Sequence, residues 1–145
     1  MKIWKKPISL DILNHTSTNT LIEHLNIVYT DIGDDWLSAT MPVCSFTHQP
    51  MGLLHGGASV VLAETLGSVA GFFSVDENSY CVGIDINANH MRGVRSGTVT
   101  GTAVALHRGA MTQVWQIDIR DEKNRLVCAS RITLAVKHHT AKDKT

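Results

Sequence analysis

The run His55-Gly56-Gly57-Ala58-Ser59-Val60-Val61-Leu62-Ala63-Glu64-Thr65-Leu66-Gly67-Ser68 holds one acidic residue. From Gly56 onward its other members are apolar, small or hydroxylic. A carboxylate buried without a cation costs several kcal/mol, and no Lys or Arg occupies this stretch. Two readings of Glu64 stand. It caps a backbone group or reaches solvent at the helix edge, or it points into a pocket that water and a substrate can enter. In the second case burial would raise its pKa toward the range useful for acid–base work or nucleophilic attack. His55-Gly56-Gly57 stands at the helix entrance. Glycine there lets a ligand oxygen approach unpaired N–H groups, and the helix dipole favours negative charge. That is the geometry of an oxyanion hole, although glycines also start helices for packing reasons.

Gly56 and Glu64 are eight residues apart, about 12 Å along a helix. A reacting carbonyl must lie about 3 Å from both its donor and its attacker. If both groups act on one carbonyl, they come from different chains. Two antiparallel copies of the helix about a two-fold axis would bring Gly56 of one beside Glu64 of the other, giving an isologous dimer with two shared sites. Ala63, Gly67, Ala70, Gly71 and Ser74 form a stripe of small residues. It permits close approach, either of the chain's own sheet or of that second helix. Glu64, Ser68, Gly71 and Gly57 lie on a neighbouring stripe, which sets a hydroxyl one turn from the carboxyl.

The elements that must hold this helix are legible in the hydrophobic periodicity. Residues 1–16 carry little periodic signal and read as an N-terminal extension. Asn19 or Thr20 caps a short helix over Leu21, Ile22 and Leu25, with Glu23 closing a capping box. A hairpin follows, its first strand from Asn26 to Ile32, its turn at Gly33-Asp34-Asp35 and its second strand from Trp36 to Val43. A loop over 44–54 leads to the long helix, Gly56 to Ser74. Strands are expected over Tyr80–Asn89 (Val82, Ile84, Ile86 and Ala88 on one face), Gly97–Leu106, Met111–Arg120 and Leu126–Val136. From Lys137 onward the sequence reads as a polar, frayed tail. Segregated strands with one major helix mean a single α+β domain over 1–145 with an antiparallel sheet. A helix apolar nearly all round must be enclosed by a curved sheet, by a second copy, or by both.

Composition narrows the function classes. The chain is 43% hydrophobic and 18% charged with zero formal net charge, which argues against nucleic acid or an anionic membrane as the partner. The sequence pattern suggests no apolar run long enough to span a bilayer and no signal peptide, so a cytoplasmic location is expected. Cys44, Cys81 and Cys128 form no CxxC pair, and the eight histidines form no HxxxH or HExxH pattern. Neither a metal nor a disulfide framework is expected.

The segment His48-Gln49-Pro50-Met51-Gly52-Leu53-Leu54-His55-Gly56-Gly57, followed by a helix carrying Glu64, resembles the hotdog-fold acyl-CoA thioesterases. The likeness is to the 4-hydroxybenzoyl-CoA thioesterases with a catalytic Glu on the central helix, and to their phenylacetate- and menaquinone-pathway relatives. It covers residues 17–137. It implies a sheet wrapped round the long helix, and dimers associating into a homotetramer. The reaction implied is hydrolysis of an acyl-CoA, with an aromatic or bulky acyl group such as 1,4-dihydroxy-2-naphthoyl. Glu64 would be nucleophile or general base, and the Gly56 N–H would polarise the carbonyl. Gln49 and His55 would lie near the carbonyl and the leaving thiol, and Ser68 would help place water. Phe72 and Phe73 are candidates for walls of the acyl pocket. No separate cofactor is implied, since coenzyme A is part of the substrate.

The phosphates of coenzyme A need cations. Two short basic turns match the family's nucleotide-binding turns: His90-Met91-Arg92-Gly93-Val94-Arg95-Ser96 and His107-Arg108-Gly109. Arg suits phosphate through its planar fork of donors. Two other readings use the same fold. A non-catalytic acyl-CoA sensor would dispense with Glu64, and a hydratase or dehydratase would use a His with a differently placed acid.

Overall fold

The computed structural model describes residues 1–140. Two short helices open it. In α1, Leu10–Thr16, the Ser9 hydroxyl accepts the Ile12 N–H (3.2 Å). In α2, Leu21–His24, the Thr20 hydroxyl accepts the Ile22 N–H (3.2 Å). The expected capping box is displaced, because the Glu23 carboxylate accepts from Asn19 N–H (2.7 Å), not from Thr20. The N-terminal segment is part of the core rather than an appended extension. Trp4 is buried and donates its indole N–H to Gly33 O (2.7 Å), and Leu13 is buried as well.

Six strands form one antiparallel sheet: β1 Val28–Ile32, β2 Trp36–Val43, β3 Ser79–His90, β4 Gly97–Arg108, β5 Thr112–Arg120 and β6 Leu126–His138. Their order is β1-β2-β4-β5-β6-β3, so β3 is an edge strand paired only with β6. The last strand runs further than its pattern suggested. His138 pairs with Ser79, and His139 N–H donates to Asn78 O (2.9 Å). The rest of the expected tail, 141–145, lies outside the described residues.

The long helix, α3, is Gly56–Ser74, with the bounds that the sequence indicated. It packs against β2 to β6. The inward rows of the sheet are the alternating ones: Leu37, Ala39 and Met41; Val99 and Ala103; Trp115, Ile117 and Ile119; Ile132 and Leu134. All are fully buried, and full burial stabilises by about 1.5–3 kcal/mol for each large aliphatic side chain. The small-residue stripe faces this sheet, which overturns its reading as the seat of a second helix. A Cβ on Gly67 would stand 2.4 Å from Ile132 Cγ2, and one on Gly71 would stand 2.3 Å from Leu134 Cδ1. Gly101 returns the favour to the helix, leaving room for Leu66. A buried polar clamp fixes the last turn. Gln113 donates its amide N–H to the Ser74 hydroxyl (3.1 Å) and accepts the Trp115 indole N–H (2.8 Å).

α3 also corrects the expectation about membrane length. Its 19 residues, at mean hydropathy 1.3, would suffice to cross a bilayer by length and composition. Here nine of them are buried in the protein, against the sheet that wraps the helix.

β3 departs from its expected alternation. Its register shifts between Gly83 and Asp85, where a bulge inserts a residue. A slip of one residue sends side chains to the other face. Gly83 pairs with the inward Leu134 and Ile86 with the inward Ile132, so these two share the helix-facing side. Val82 and Ile84 do not join them. Both are exposed, at 41% and 61%, while Ile86 and Ala88 are half-buried.

Candidate active site

α3 and β3 run antiparallel, and glycines mark three approaches between them. Near the helix C-terminus Cys81 Sγ lies 3.5 Å from the position of a Gly71 Cβ. Burial pushes the Cys81 thiol up, opposed by the Lys6 charge. At mid-helix Glu64 Oε1 lies 3.4 Å from the position of a Gly83 Cβ. At the helix entrance His90 Nε2 lies 2.9 Å from the position of a Gly56 Cβ. The bulge therefore has a chemical consequence: it sets a glycine, not Val82 or Ile84, beside the carboxylate. Sequence reasoning missed Gly83. The signal was present, because an isolated glycine inside a strand pattern marks a bulge or a close approach.

Glu64 is exposed in the single chain. Within one chain this matches the reading in which Glu64 reaches solvent at the helix edge, with Gly83 close on one side of it. Ser68, one turn on, is half-buried. The exposed flank continues with Phe72 (40%).

The helix entrance is more specialised than two glycines. His55 is the N-cap residue, and its Nδ1 accepts the Gly57 N–H at 2.8 Å. His55 thus occupies one of the free donors that a ligand would have used, which leaves its Nε2 outward. The Gly56 N–H has no acceptor among the described residues. The exposed His90 ring lies against it, with Nε2 2.9 Å from the position of a Gly56 Cβ, so a side chain there would have to displace the imidazole.

The 44–54 loop is pinned to the β3–β4 loop. Leu54 N–H donates to Val94 O (2.8 Å), and His48 Nε2 pairs with Arg95 O (2.8 Å). Gln49 is held inside the loop, where its Oε1 accepts the Met51 N–H and its own N–H donates to Leu53 O. Leu53 lies over Gly93, where a Cβ would come within 3.3 Å. Met91 N–H and Arg92 N–H are anchored on Val127 O (2.8 and 3.3 Å). The result is an open cleft of about 320 Å³ lined by Gln49, Gly56, Ser59, His90, Met91, Arg92 and Gly93, among others. Six site residues scattered in sequence come together here: Gln49, Gly56, His90, Met91, Arg92 and Gly93. His55 stands beside them at the cap. Gly93 leads on to a second cleft of about 250 Å³ shared with the β5–β6 turn, where Arg95, Ser96 and Lys123 sit. Arg125 there is committed to Asp121 (2.7 Å), whose carboxyl this partner holds below the usual range.

His107, Arg108 and Gly109 do not join this group. β4 starts at Gly97, opposite Val43, and ends at Arg108, opposite Gln113. Gln113 bonds Ser74 at the far end of α3. Eleven strand steps, about 36 Å, separate the two basic turns within one chain. Glu64 is likewise about 12 Å along the axis from the free Gly56 N–H. One chain therefore presents a carboxylate, a free N–H donor and a basic loop, but not at one point.

An antiparallel sheet wrapped round a long central helix defines the hotdog fold, here with a carboxylate at mid-helix and a free donor at its entrance. The Thioesterase superfamily matches residues 51–128. The chain is 54% identical over 134 residues to the 1,4-dihydroxy-2-naphthoyl-CoA hydrolase of Escherichia coli K12, covering 92% of this chain and 98% of the relative. It is 52% identical to the proofreading thioesterase EntH of Cronobacter sakazakii, with the same coverage of both chains. A crystal structure of a Haemophilus influenzae thioesterase superposes with a TM-score of 0.92 at 52% identity, covering 94% of this chain and 95% of that one. The chain belongs to the Thioesterase superfamily and is a thioester hydrolase of the hotdog fold.

Proposed function

We propose that the protein hydrolyses acyl-CoA thioesters with aromatic or otherwise bulky acyl groups, in two sites shared across a two-fold dimer. The observation that carries this is the separation of Glu64 from Gly56 along one rigid helix, with both groups open on the same flank. Antiparallel pairing of two α3 helices along the β3 edges sets the Glu64 carboxylate of one protomer at a carbonyl bound to the Gly56 N–H of its partner. The exposed Phe72, Val82 and Ile84 are then covered, and the second chain supplies the enclosure that one chain lacks. The same pairing brings the His107–Gly109 turn to the end of the dimer that holds the partner's His90–Ser96 loop, giving the phosphates of coenzyme A cations from both chains. Exposed Val104 and Leu106 on the outer face of the sheet suit further pairing of dimers into a tetramer.

Two routes use the same carboxylate. As general base, Glu64 takes a proton from water while the water oxygen attacks the thioester carbon. The Gly56 N–H holds the oxyanion, the C–S bond breaks, and the proton passes to the departing thiolate. As nucleophile, a Glu64 oxygen attacks the carbon and expels the thiolate, and water then hydrolyses the mixed anhydride. In this reading Ser68 would help hold the water, and Gln49 and His55 would lie near the carbonyl and the leaving sulfur.

The name of one relative gives an acyl group, 1,4-dihydroxy-2-naphthoyl, and the name of the other, at nearly equal identity, gives none. A panel of aryl acyl-CoAs that includes 1,4-dihydroxy-2-naphthoyl-CoA therefore assigns the substrate. Glu64→Gln tests the reading itself. Thiol release from the preferred acyl-CoA falls by at least about a hundredfold, and activity within a few-fold of the parent refutes the carboxylate mechanism.

A further inference from the structure

The two clefts described above meet at Gly93, which lines both. The first holds Gly56 and its free N–H, with His90 and Arg92 beside it. The second lies between the β3–β4 loop and the β5–β6 turn, and Arg95 and Lys123 face each other across it. No motif pointed to Lys123, which stands in a turn of ordinary polar sequence.

The charges around these clefts are unevenly committed. Asp121 is taken up by the Arg125 guanidinium (2.7 Å) and by the N–H groups of Lys123 and Arg125 (3.0 and 2.9 Å). Those bonds tie the turn, so the Lys123 side chain leaves from a fixed point on the rim. Glu122 is turned to the start of β4, where it accepts the Thr98 N–H (3.0 Å) and fills the space beside Gly97. Both carboxylates thus have their donors already. Arg92, Arg95 and Lys123 are exposed, and among the described residues none of them forms an ion pair. Three cations are left along one path with no anion to meet them.

The path has a length that can be compared with a ligand. Val94 O accepts the Leu54 N–H (2.8 Å), and Leu54 stands two residues before Gly56, so this carbonyl lies within about 10 Å of the Gly56 nitrogen. Arg95 follows directly, its own carbonyl held by His48. The arm of a coenzyme A thioester is as long as about four to five extended residues, or roughly 16 Å from carbonyl carbon to first phosphorus. With its carbonyl on the Gly56 N–H, such an arm runs past His90 and brings the pyrophosphate to Arg92. The ribose 3′-phosphate then falls in the second cleft. As a monoester it carries close to two negative charges at pH 7, which calls for two cations.

We propose that Lys123 and Arg95 bind the ribose 3′-phosphate of coenzyme A, so that the protein selects thioesters of complete coenzyme A over those that lack this phosphate. This rests on the reading that the thioester carbonyl sits on the Gly56 N–H. Neither residue touches a reacting atom, and both act on specificity through binding.

The test uses the full chain with the preferred aryl acyl-CoA, benzoyl-CoA or 1,4-dihydroxy-2-naphthoyl-CoA, and its 3′-dephospho analogue. The parent prefers the complete ester about tenfold in kcat/KM, through KM, since each exposed ion pair contributes up to about fivefold. Lys123→Ala lowers that preference about threefold and leaves the dephospho ester unchanged. Arg95→Ala does the same, and the double variant hydrolyses the two esters within about twofold of each other. Lys123→Arg keeps the preference, because charge and donors remain. Raising the ionic strength from about 0.01 M to about 1 M shortens the screening length from about 30 Å to about 3 Å. It erodes the preference of the parent and not the residual ratio of the double variant. A parent that hydrolyses both esters alike overturns the proposal. So do variants that lower both esters equally, as a merely structural turn would, and a preference that survives the double substitution or high salt. Any of these in a parent that Glu64→Gln silences removes the role of Lys123 and Arg95 and leaves the carboxylate reading standing. A parent inactive on every acyl-CoA, or indifferent to Glu64→Gln, removes both.

Discussion

The two flanks of α3 are built from the same small and aliphatic residues and have opposite fates. The inner flank, with Ala63, Leu66, Gly67, Ala70 and Gly71, is buried against Ile117, Ile132 and Leu134 of its own sheet. The outer flank, with Glu64 and Phe72, is exposed beside an edge strand that also exposes Val82 and Ile84. Glycine does different work on each. Gly67 and Gly71 make room for side chains that are present in the same chain. Gly83 makes room beside a carboxylate, and Gly56 makes room for an imidazole while leaving an N–H free. One flank is finished by the chain itself. The other is left open, with Glu64 and Phe72 exposed.

The sharpest break in that contrast comes from Glu64→Gln on the outer flank. Turnover falls at least about a hundredfold, with thermal unfolding little changed because the amide keeps the size of the carboxyl. Gly67→Val on the inner flank should do the reverse. A side chain forced into Ile132 costs about 1–3 kcal/mol, read as a lower urea midpoint, while the folded fraction keeps its turnover. Complementation follows in size. Glu64→Ala mixed in equal amounts with Gly56→Val, with subunit exchange confirmed, recovers about a quarter of parental activity, since half the dimers are mixed and each carries one intact site. Separate chains that never complement would place both groups in one protomer's site. Gly83→Ala bridges the two flanks. It brings a methyl against the Glu64 carboxylate at 3.4 Å, and kcat should drop several-fold, about 1 kcal/mol of barrier, with stability held.

The smallest expected effect is electrostatic. Asp76 is held below its ordinary 3.8 first by the Ser79 hydroxyl, and Asp121 first by its hydrogen bond from Arg125. Between 3.8 and those lowered values the unfolded chain binds more protons, so stability falls as pH falls through that window. Asp121→Asn should flatten this acid limb in a pH series of urea midpoints, without touching turnover.

Much of the fold is legible because the periodicities are clean. Leu37, Ala39 and Met41, and Trp115, Ile117 and Ile119, alternate without interruption, and the bounds of α3 follow from its apolar run between His55-Gly56-Gly57 and Asp76-Glu77. Three things were not legible. The N-terminal segment has too few apolar residues to show a period, and its Lys6, ordinarily a surface residue, is buried through contacts with Phe72 and Ser79, more than sixty positions away. The β3 bulge breaks the alternation on which the reading of Val82 and Ile84 relied. The two basic turns look equivalent in sequence, and the antiparallel course of β4 sends them to opposite ends of the sheet.

The sequence by itself set a lone carboxyl and a glycine entrance at a fixed helical spacing, because these follow from residue types and rise per residue, and its likeness to the hotdog thioesterases supplied the class of chemistry. It also determined that the two groups cannot meet within one chain. Only the tertiary structure decided which flank of α3 faces its own sheet and which is left open, because that depends on long-range packing of side chains against glycine. It alone set Gly83 beside Glu64 and Lys6 beneath Phe72, since neither a register shift in an edge strand nor a contact from the far N-terminus leaves a local trace in the residues it brings together.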